Sequence, residues 1–310
     1  MATPAPAAPT CSTERLGSLP KLGVGLSFQL ALRPFIQQHP DTFDYIEIIP
    51  DTLWSRHSTG GTARYEEAPQ SLALLEELRA LKPLVAHSIG LSIGSADRFD
   101  HGHLDQIARW QERYGFPWHS DHLSFSQLEE ESGHTLDVGF TMPVPYDEAA
   151  LDMVAERVLA MQRRVPVPFL LENNVYYFSI PDQEMTEPQF LNRLAERTGC
   201  GLLLDLHNIY TNARNHGFDP QSFLEELDLS RVVEIHIGGG MVHEDFYLDA
   251  HSGPCPEELW DMLAETLERA PNAAGVTFEV FNAHYPDMGP ERLIEELEHA
   301  RAIWRRFHGE

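Results

Sequence analysis

Eight short apolar runs, each followed by a helix-like stretch, constrain the fold of this chain more than any other feature. They are LGVGLS (22–27), YIEIIP (45–50), PLVAHSI (83–89), FPWHSDHLS (116–124), VPFLLEN (167–173), GLLLDLHN (201–208), RVVEIHIGGG (231–240) and GVTFEVF (275–281). Runs of this length read as buried strands, and those apolar throughout read as strands covered on both faces. Helices are predicted near 29–39, 70–81, 97–114, 146–164, 187–198, in turns up to 227, and over 256–269 and 290–307. In the last of these, Leu293, Leu297, Ala300 and Trp304 share one face. Eight β–α units predict a single-domain α/β protein, a (β/α)8 TIM barrel over residues 21–310. An open doubly wound sheet is the other arrangement of such units, but no Gly-rich phosphate fingerprint follows the first strand. Residues 1–20, rich in Pro, Ala, Ser and Thr, read as a disordered lead-in.

The strand RVVEIHIGGG then raises a question of energetics. Glu234 and His236 are two apart, so both point to the same side of a strand whose other residues are apolar. The same habit recurs down the chain. Polar groups stand at or near the strand ends as Glu47 and Asp51, His87, His119 with Asp121 and His122, Glu172, Asp205 with His207, and Glu279. In a barrel these ends meet at one mouth, where active sites sit.

Each residue alone has an ordinary explanation. A buried histidine is usually a hydrogen-bonded core residue, and a carboxylate at a strand end often caps the next helix. Glu47 and Glu234 read equally as hydrogen-bond acceptors for a ligand residue. Together the residues are harder to explain, because several buried carboxylates repel one another strongly without cations. Histidines among them make metal the cheaper solution. So many donors suit two or three ions, and no cysteine sits at a strand end. Mixed imidazole and carboxylate donors fit non-haem iron, manganese or zinc, with carboxylates bridging neighbouring ions. The segment YLDAHSGP (247–254) follows the seventh strand and should form a loop above the mouth, with Asp249 and His251 spaced to share one ion.

Composition narrows the partners. Twenty-two basic against 48 acidic residues give a net charge of −26, which repels phosphate backbones and argues against general nucleic-acid binding. There is no apolar run long enough to span a membrane and no secretory signal at the N-terminus. Cys11, Cys200 and Cys255 are widely spaced, which points to a reducing, cytoplasmic location without a disulfide framework.

The ordered pieces IEIIPDTLW, AHSIGLSIGS, SDHLSFS, LLENN, LLLDLHNIYTNARNHGFDP, EIHIGGG, DAHSGP and FEVF resemble the MbnB-like multinuclear non-haem iron-dependent oxidases of the methanobactin-biosynthesis type. The resemblance runs from about residue 22 to 304, and LLLDLHN with NARNHGFDP is its most specific part. It implies a (β/α)8 barrel with two or three iron ions and dioxygen as co-substrate. The implied reaction modifies a ribosomally synthesised precursor peptide, often at cysteine, with a partner protein commonly recruiting the leader. His87, Glu172, Asp205, His236 and Glu279 match its core metal ligands, and Asp121, His122, His207, Asp249 and His251 match further motif positions. Asn173, Asn208 and Trp54 are placed along the peptide groove, although asparagines in such motifs also hold loop backbones. Two motifs depart from the family pattern: Asp121-His122 stands where SEHL is commoner, and Pro50-Asp51-Thr52 where PEN is commoner. Each departure shortens a carboxylate by about one methylene. The rival readings are a divalent-metal hydrolase or isomerase of the xylose-isomerase-like or endonuclease-IV-like type, and a non-catalytic metal-dependent binding protein.

Overall fold

The computed structural model of the protein describes residues 13–59, 62–129 and 135–309. Eight parallel strands close into a barrel: β1 (Gly23–Ser27), β2 (Tyr45–Ile48), β3 (Leu84–Ser88), β4 (His119–His122), β5 (Phe169–Glu172), β6 (Gly201–Asp205), β7 (Val232–Gly238) and β8 (Gly275–Glu279). Each pairs with its neighbour in sequence, and β8 pairs with β1 to complete the ring. The fold expected from the eight apolar runs is therefore the fold found. Helices cover the outside: α1 (Thr13–Gly17), α2 (Arg33–Gln38), α3 (Pro69–Leu81), α4 (His101–Tyr114), α5 (Glu148–Arg164), α6 (Glu187–Thr198), α7 (Leu206–His216), α8 (Pro220–Glu226), α9 (Glu257–Arg269) and α10 (Tyr285–His308). Their ends are chemically marked. Asp100, Asp147 and Asp205 accept a backbone N–H at the starts of α4, α5 and α7. Left-handed glycines at 115, 199 and 217 end α4, α6 and α7.

The expected lead-in over 1–20 requires correction. Thr13–Gly17 is helical, and Leu16 is fully buried against Tyr45, Val85, Trp118, Leu170, Leu203, Val233 and Ala274. This apolar plug closes the N-terminal end of the barrel. Cys11 and the remainder of the lead-in up to residue 12 lie outside the described residues.

Three antiparallel hairpins extend segments that read as loops: Trp54–Thr59 with Thr62–Glu67, Ser124–Glu129 with Thr135–Pro143, and Met241–His243 with Phe246–Leu248. They follow β2, β4 and β7, so all three stand at the C-terminal end of the barrel. Register sets the heights of the strand-end donors. His122 lies opposite Glu172, Asp205 opposite His236, and Gly238 opposite Glu279.

Candidate metal centre

The barrel interior is polar above the plug, and it is built in layers. In the lower layer the Glu234 carboxylate accepts hydrogen bonds from Trp118 Nε1 at 2.6 Å, Thr277 Oγ1 at 2.7 Å and Tyr45 OH at 3.2 Å. Burial and the nearby Glu47 charge push Glu234 up to about 7, against the pull of His236 and these donors.

His236 rises from the same strand face into the next layer. Its Nε2 donates to Glu47 Oε2 at 2.9 Å, and its Nδ1 stands 3.0 Å from Glu279 Oε2. His87 and His122 reach the same space from β3 and β4, with Nε2 atoms 3.2 and 3.3 Å from Glu172 Oε2. Their other nitrogens are held: His87 Nδ1 by Ser120 Oγ at 2.9 Å, and His122 Nδ1 by the Ser88 carbonyl at 3.3 Å. The Ser88 carbonyl only accepts, so neutral His122 carries its proton on Nδ1 and presents an Nε2 lone pair to the interior.

The rim comes from loops and one helix start. His251 Nε2 lies 3.0 Å from Asp249 Oδ1 and 3.5 Å from Glu279 Oε2. His207, in the first turn of α7, places Nδ1 2.8 Å from Asp249 Oδ1. His251 takes a left-handed backbone conformation with φ of 42°, which is strained for a residue with a side chain. The three glycines at the end of β7, Gly238 to Gly240, explain how its loop comes so close. A Cβ on Gly239 would lie 2.2 Å from the Pro254 carbonyl oxygen, so only glycine lets the 249–254 segment pack there.

Four donor groups result, each with its ligand atoms within 4.8 Å of one another: His87–Glu172–His236, Glu47–His236–Glu279, Asp205–His251–Glu279 and His207–Asp249–His251. They overlap through His236, Glu279 and His251, the arrangement expected of neighbouring ions with shared ligands. Unpaired donors test whether ions fit. Glu47 Oε1, Glu172 Oε2, His236 Nδ1 and His251 Nε2 are all buried without a hydrogen-bond partner among the described residues. Buried polar atoms are otherwise nearly always satisfied, and these converge on one space, so the donor set fits metal ions.

Charge balance agrees. Burial opposes ionisation of His87, yet Glu47 and Glu172 hold its imidazole up at about 9; burial opposes His251 too, yet Asp249 and Glu279 raise it to about 10. Asp205 goes the other way, pushed well above the carboxylate range by burial and by Glu172, Asp249 and Glu279. Protons thus supply here the charge balance that cations can supply instead.

Asp121, Asn173 and Asn208 stand elsewhere than the sequence placed them. Asp121 faces away from the centre, because strand alternation turns it opposite to Ser120 and His122. It instead accepts from the Leu91 N–H at 3.3 Å, and burial with the neighbouring Asp51 raises its pKa well above the usual carboxylate range. Asn173 does not line a groove: its amide donates to the Asp205 carbonyl at 2.9 Å and accepts the Asp205 N–H at 2.8 Å, tying β5 to β6. Asn208 is buried as well, donating to Glu172 Oε1 at 3.2 Å and to the Asn173 carbonyl at 3.0 Å, so it orients a ligand. Trp54 packs edge-on against Trp110, Tyr65 and His103 and lines a cavity of about 370 Å³ beside Asp51, away from the metal donors.

Sequence reading missed Ser120, which holds His87, and the Tyr45, Trp118 and Thr277 cradle beneath Glu234. Thr277 stands two residues before Glu279 and Trp118 four before His122, each on the same strand face as that donor, which was the available signal.

Fold and site together define a TIM-barrel protein with a buried cluster of histidines and carboxylates able to hold metal ions. The chain belongs to the MbnB/TglH/ChrH family of RiPP precursor modification enzymes, whose sequence profile matches residues 21–305. Relatives include a UPF0276 protein of Caulobacter vibrioides, 32% identical over 284 residues, covering 89% of this chain and 94% of the relative. Another, from Anaeromyxobacter sp., is 36% identical over 232 residues, 75% of this chain and 79% of its own. Among solved structures, endonuclease IV from Thermus thermophilus superposes with a TM-score of 0.54 at 17% identity, covering 93% of this chain and 100% of that one. The IOLI protein with a binding zinc atom gives a TM-score of 0.56 at 14% identity, over 93% and 100% of the two chains. At such identities these structures share the fold alone. No helix among the described residues is long and apolar enough to cross a membrane.

Proposed function

We propose that this protein is a multinuclear iron- and dioxygen-dependent oxidase that modifies a ribosomally synthesised precursor peptide. The observation that carries this reading is the chain of four overlapping donor groups joined by His236, Glu279 and His251. Iron bound there supplies the redox chemistry that couples dioxygen reduction to oxidation of the peptide, often at cysteine. The protein's own residues do the remainder. His87, Glu172 and His236 hold the inner position, with Ser120, Asn208 and Glu47 fixing their orientation. Asp205, Glu279 and His251 hold the next, and His207 with Asp249 completes the rim. The side wall of the barrel and the plug below keep bulk water from the inner donors.

A peptide substrate is supported by the surface around the mouth. Phe140, Phe178, Val242, Phe246 and Phe281 are exposed apolar side chains, all on segments that follow strand C-terminal ends. Scattered exposed apolar residues need no explanation, but their concentration at one end suits docking of a peptide and of a leader-binding partner protein.

The test is the metal content of protein purified anaerobically from iron-supplemented cells, with Mössbauer spectra and dioxygen consumption. Two or more irons per chain with coupled spectra are expected. Full zinc or manganese occupancy with no iron and no dioxygen uptake would sink the oxidase and favour a divalent-metal isomerase or hydrolase on the same barrel.

A further inference from the structure

A cavity of about 480 Å³ opens between the connection after β5 and the α7–α8 turn, and none of the metal donors lines it. Its walls include Tyr146, Tyr176, Phe178, Phe218 and Phe223. No Lys or Arg lines it, and its one histidine, His216, is engaged through Nε2 with the Tyr176 carbonyl at 3.0 Å. Two acids face it. Glu226 is exposed and already accepts from Thr186 Oγ1 and Gln189 Nε2. Glu187 is only 6% exposed, set among the apolar walls. The Tyr146 hydroxyl and the Asn174 N–H donate to its carboxyl, and Glu187 Oε1 has no hydrogen-bond partner among the described residues.

Helix capping does not account for this carboxyl. Glu187 is the first residue of α6, but Thr186 and Gln189 already close a reciprocal capping box there. A buried carboxyl with an unmet oxygen is costly, and burial accordingly pushes Glu187 up to about 8. Aromatic faces around such an acid attract organic cations, and apolar walls accept the methylenes that carry them.

We propose that this cavity receives a basic side chain of a peptide, with the guanidinium or ammonium group meeting the Glu187 carboxyl and the methylenes lying along the aromatic walls. The proposal rests on the peptide-modifying reading for its occupant and adds a specificity pocket to it. Position supports it: Asn174, which bonds Glu187, lies two residues beyond the metal donor Glu172, so one connection serves both sites. Charge supports it too, since a net charge of −26 draws basic segments toward the protein. Phe178, 44% exposed, is a wall residue open to solvent.

The experiment is calorimetric titration of the full-length protein with the blocked tripeptide acetyl-Gly-Arg-Gly-amide, and with the same peptide carrying citrulline, its neutral near-isostere. Saturable binding of the arginine peptide is expected, with the citrulline peptide at least about tenfold weaker. Glu187→Gln should remove that preference. Should the Gln variant fail to fold, Phe178→Ala at the exposed wall is expected to weaken the arginine peptide several-fold. Equal binding of both peptides, no saturable binding, or a Glu187→Gln variant that keeps the preference would overturn the pocket assignment. Binding needs no iron, so a protein that selects arginine but holds no iron refutes the oxidase alone. An iron-loaded oxidase indifferent to arginine refutes the pocket alone.

Discussion

His236 Nδ1 and Glu279 Oε2 stand 3.0 Å apart inside the barrel mouth, yet the ring nitrogen makes no aligned hydrogen bond. On the opposite side Nε2 donates to Glu47 at 2.9 Å, so a proton kept there leaves Nδ1 to bind a cation once its own proton is displaced. A lone pair and a carboxylate oxygen facing each other at that distance are placed to share one cation.

Glu279 belongs to two of the donor groups, contacting both His236 and His251. Glu279→Gln keeps its shape but removes its negative charge. Metal analysis by mass spectrometry should show a loss of at least about one ion per chain relative to the parent protein, with an unchanged circular dichroism spectrum. Undiminished metal content would remove Glu279 from the ligand set.

Loading should displace protons. Without cations, His87 at about 9 and His251 at about 10 are charged at neutral pH, and ligation requires them neutral. Metal binding at pH 7 therefore releases protons, and apparent affinity rises with pH toward the range of those values. Calorimetry of the metal-stripped protein in two buffers of different ionisation enthalpy reads the proton count. Equal heats in both buffers would contradict it.

Asp121 serves as the control for the strand-end argument. It faces away from the donors, accepts the Leu91 N–H at 3.3 Å, and has its pKa raised by burial and by the neighbouring Asp51. Asp121→Asn should leave metal stoichiometry unchanged and alter stability by less than about 1 kcal/mol. A lost ion in this variant would return Asp121 to the centre.

Glu187 should make the protein less stable as pH rises. Its folded pKa of about 8 exceeds the ordinary 4.5, so between these values the folded state binds more protons than the unfolded chain. Its contribution to stability is then fully present below about 4.5 and is lost as pH climbs through 8, at up to about 1.4 kcal/mol per unit. Glu187→Gln should flatten this slope, measured as unfolding free energy in urea at pH 6, 7 and 8. Parallel slopes for parent and variant would rule out a buried, protonated Glu187.

Gly239 is required by close approach rather than by an unusual dihedral. Gly239→Ala puts a Cβ 2.2 Å from the Pro254 carbonyl oxygen, forcing the 249–254 segment outward. The expected outcome is loss of the ions held by Asp249 and His251 with the barrel still folded, at a cost of about 1–3 kcal/mol. Full metal content in this variant would show that the segment adapts.

Legibility in the sequence followed a physical division. His87, Glu172, Asp205, His236 and Glu279 were readable because each lies at or near the end of a strand whose apolar run fixes both its height and its side. Asp121 was misassigned because adjacent residues on a strand cannot both face inward, and His122 takes the inner side. Asn173 and Asn208 look alike in a motif; only the neighbouring strand shows that one clamps backbone and the other steers Glu172. The three hairpins carry too weak an alternation to read as strands. The Glu187 cavity was invisible because its walls come from segments spread between Pro143 and Glu226, and no local pattern encodes such a meeting.

The donors are also divided by what carries them. His87, Glu172 and His236 sit on barrel strands, whereas Asp249 and His251 ride on a loop held in a strained turn over three glycines. Ions at these two ends would therefore exchange on different clocks. The strand-held position can release its ion only when the barrel itself opens. The loop-held position needs only a local excursion of a few residues. Partial chelation would then yield a discrete, singly depleted species before any apoprotein, and reconstitution would refill the two ends in the reverse order.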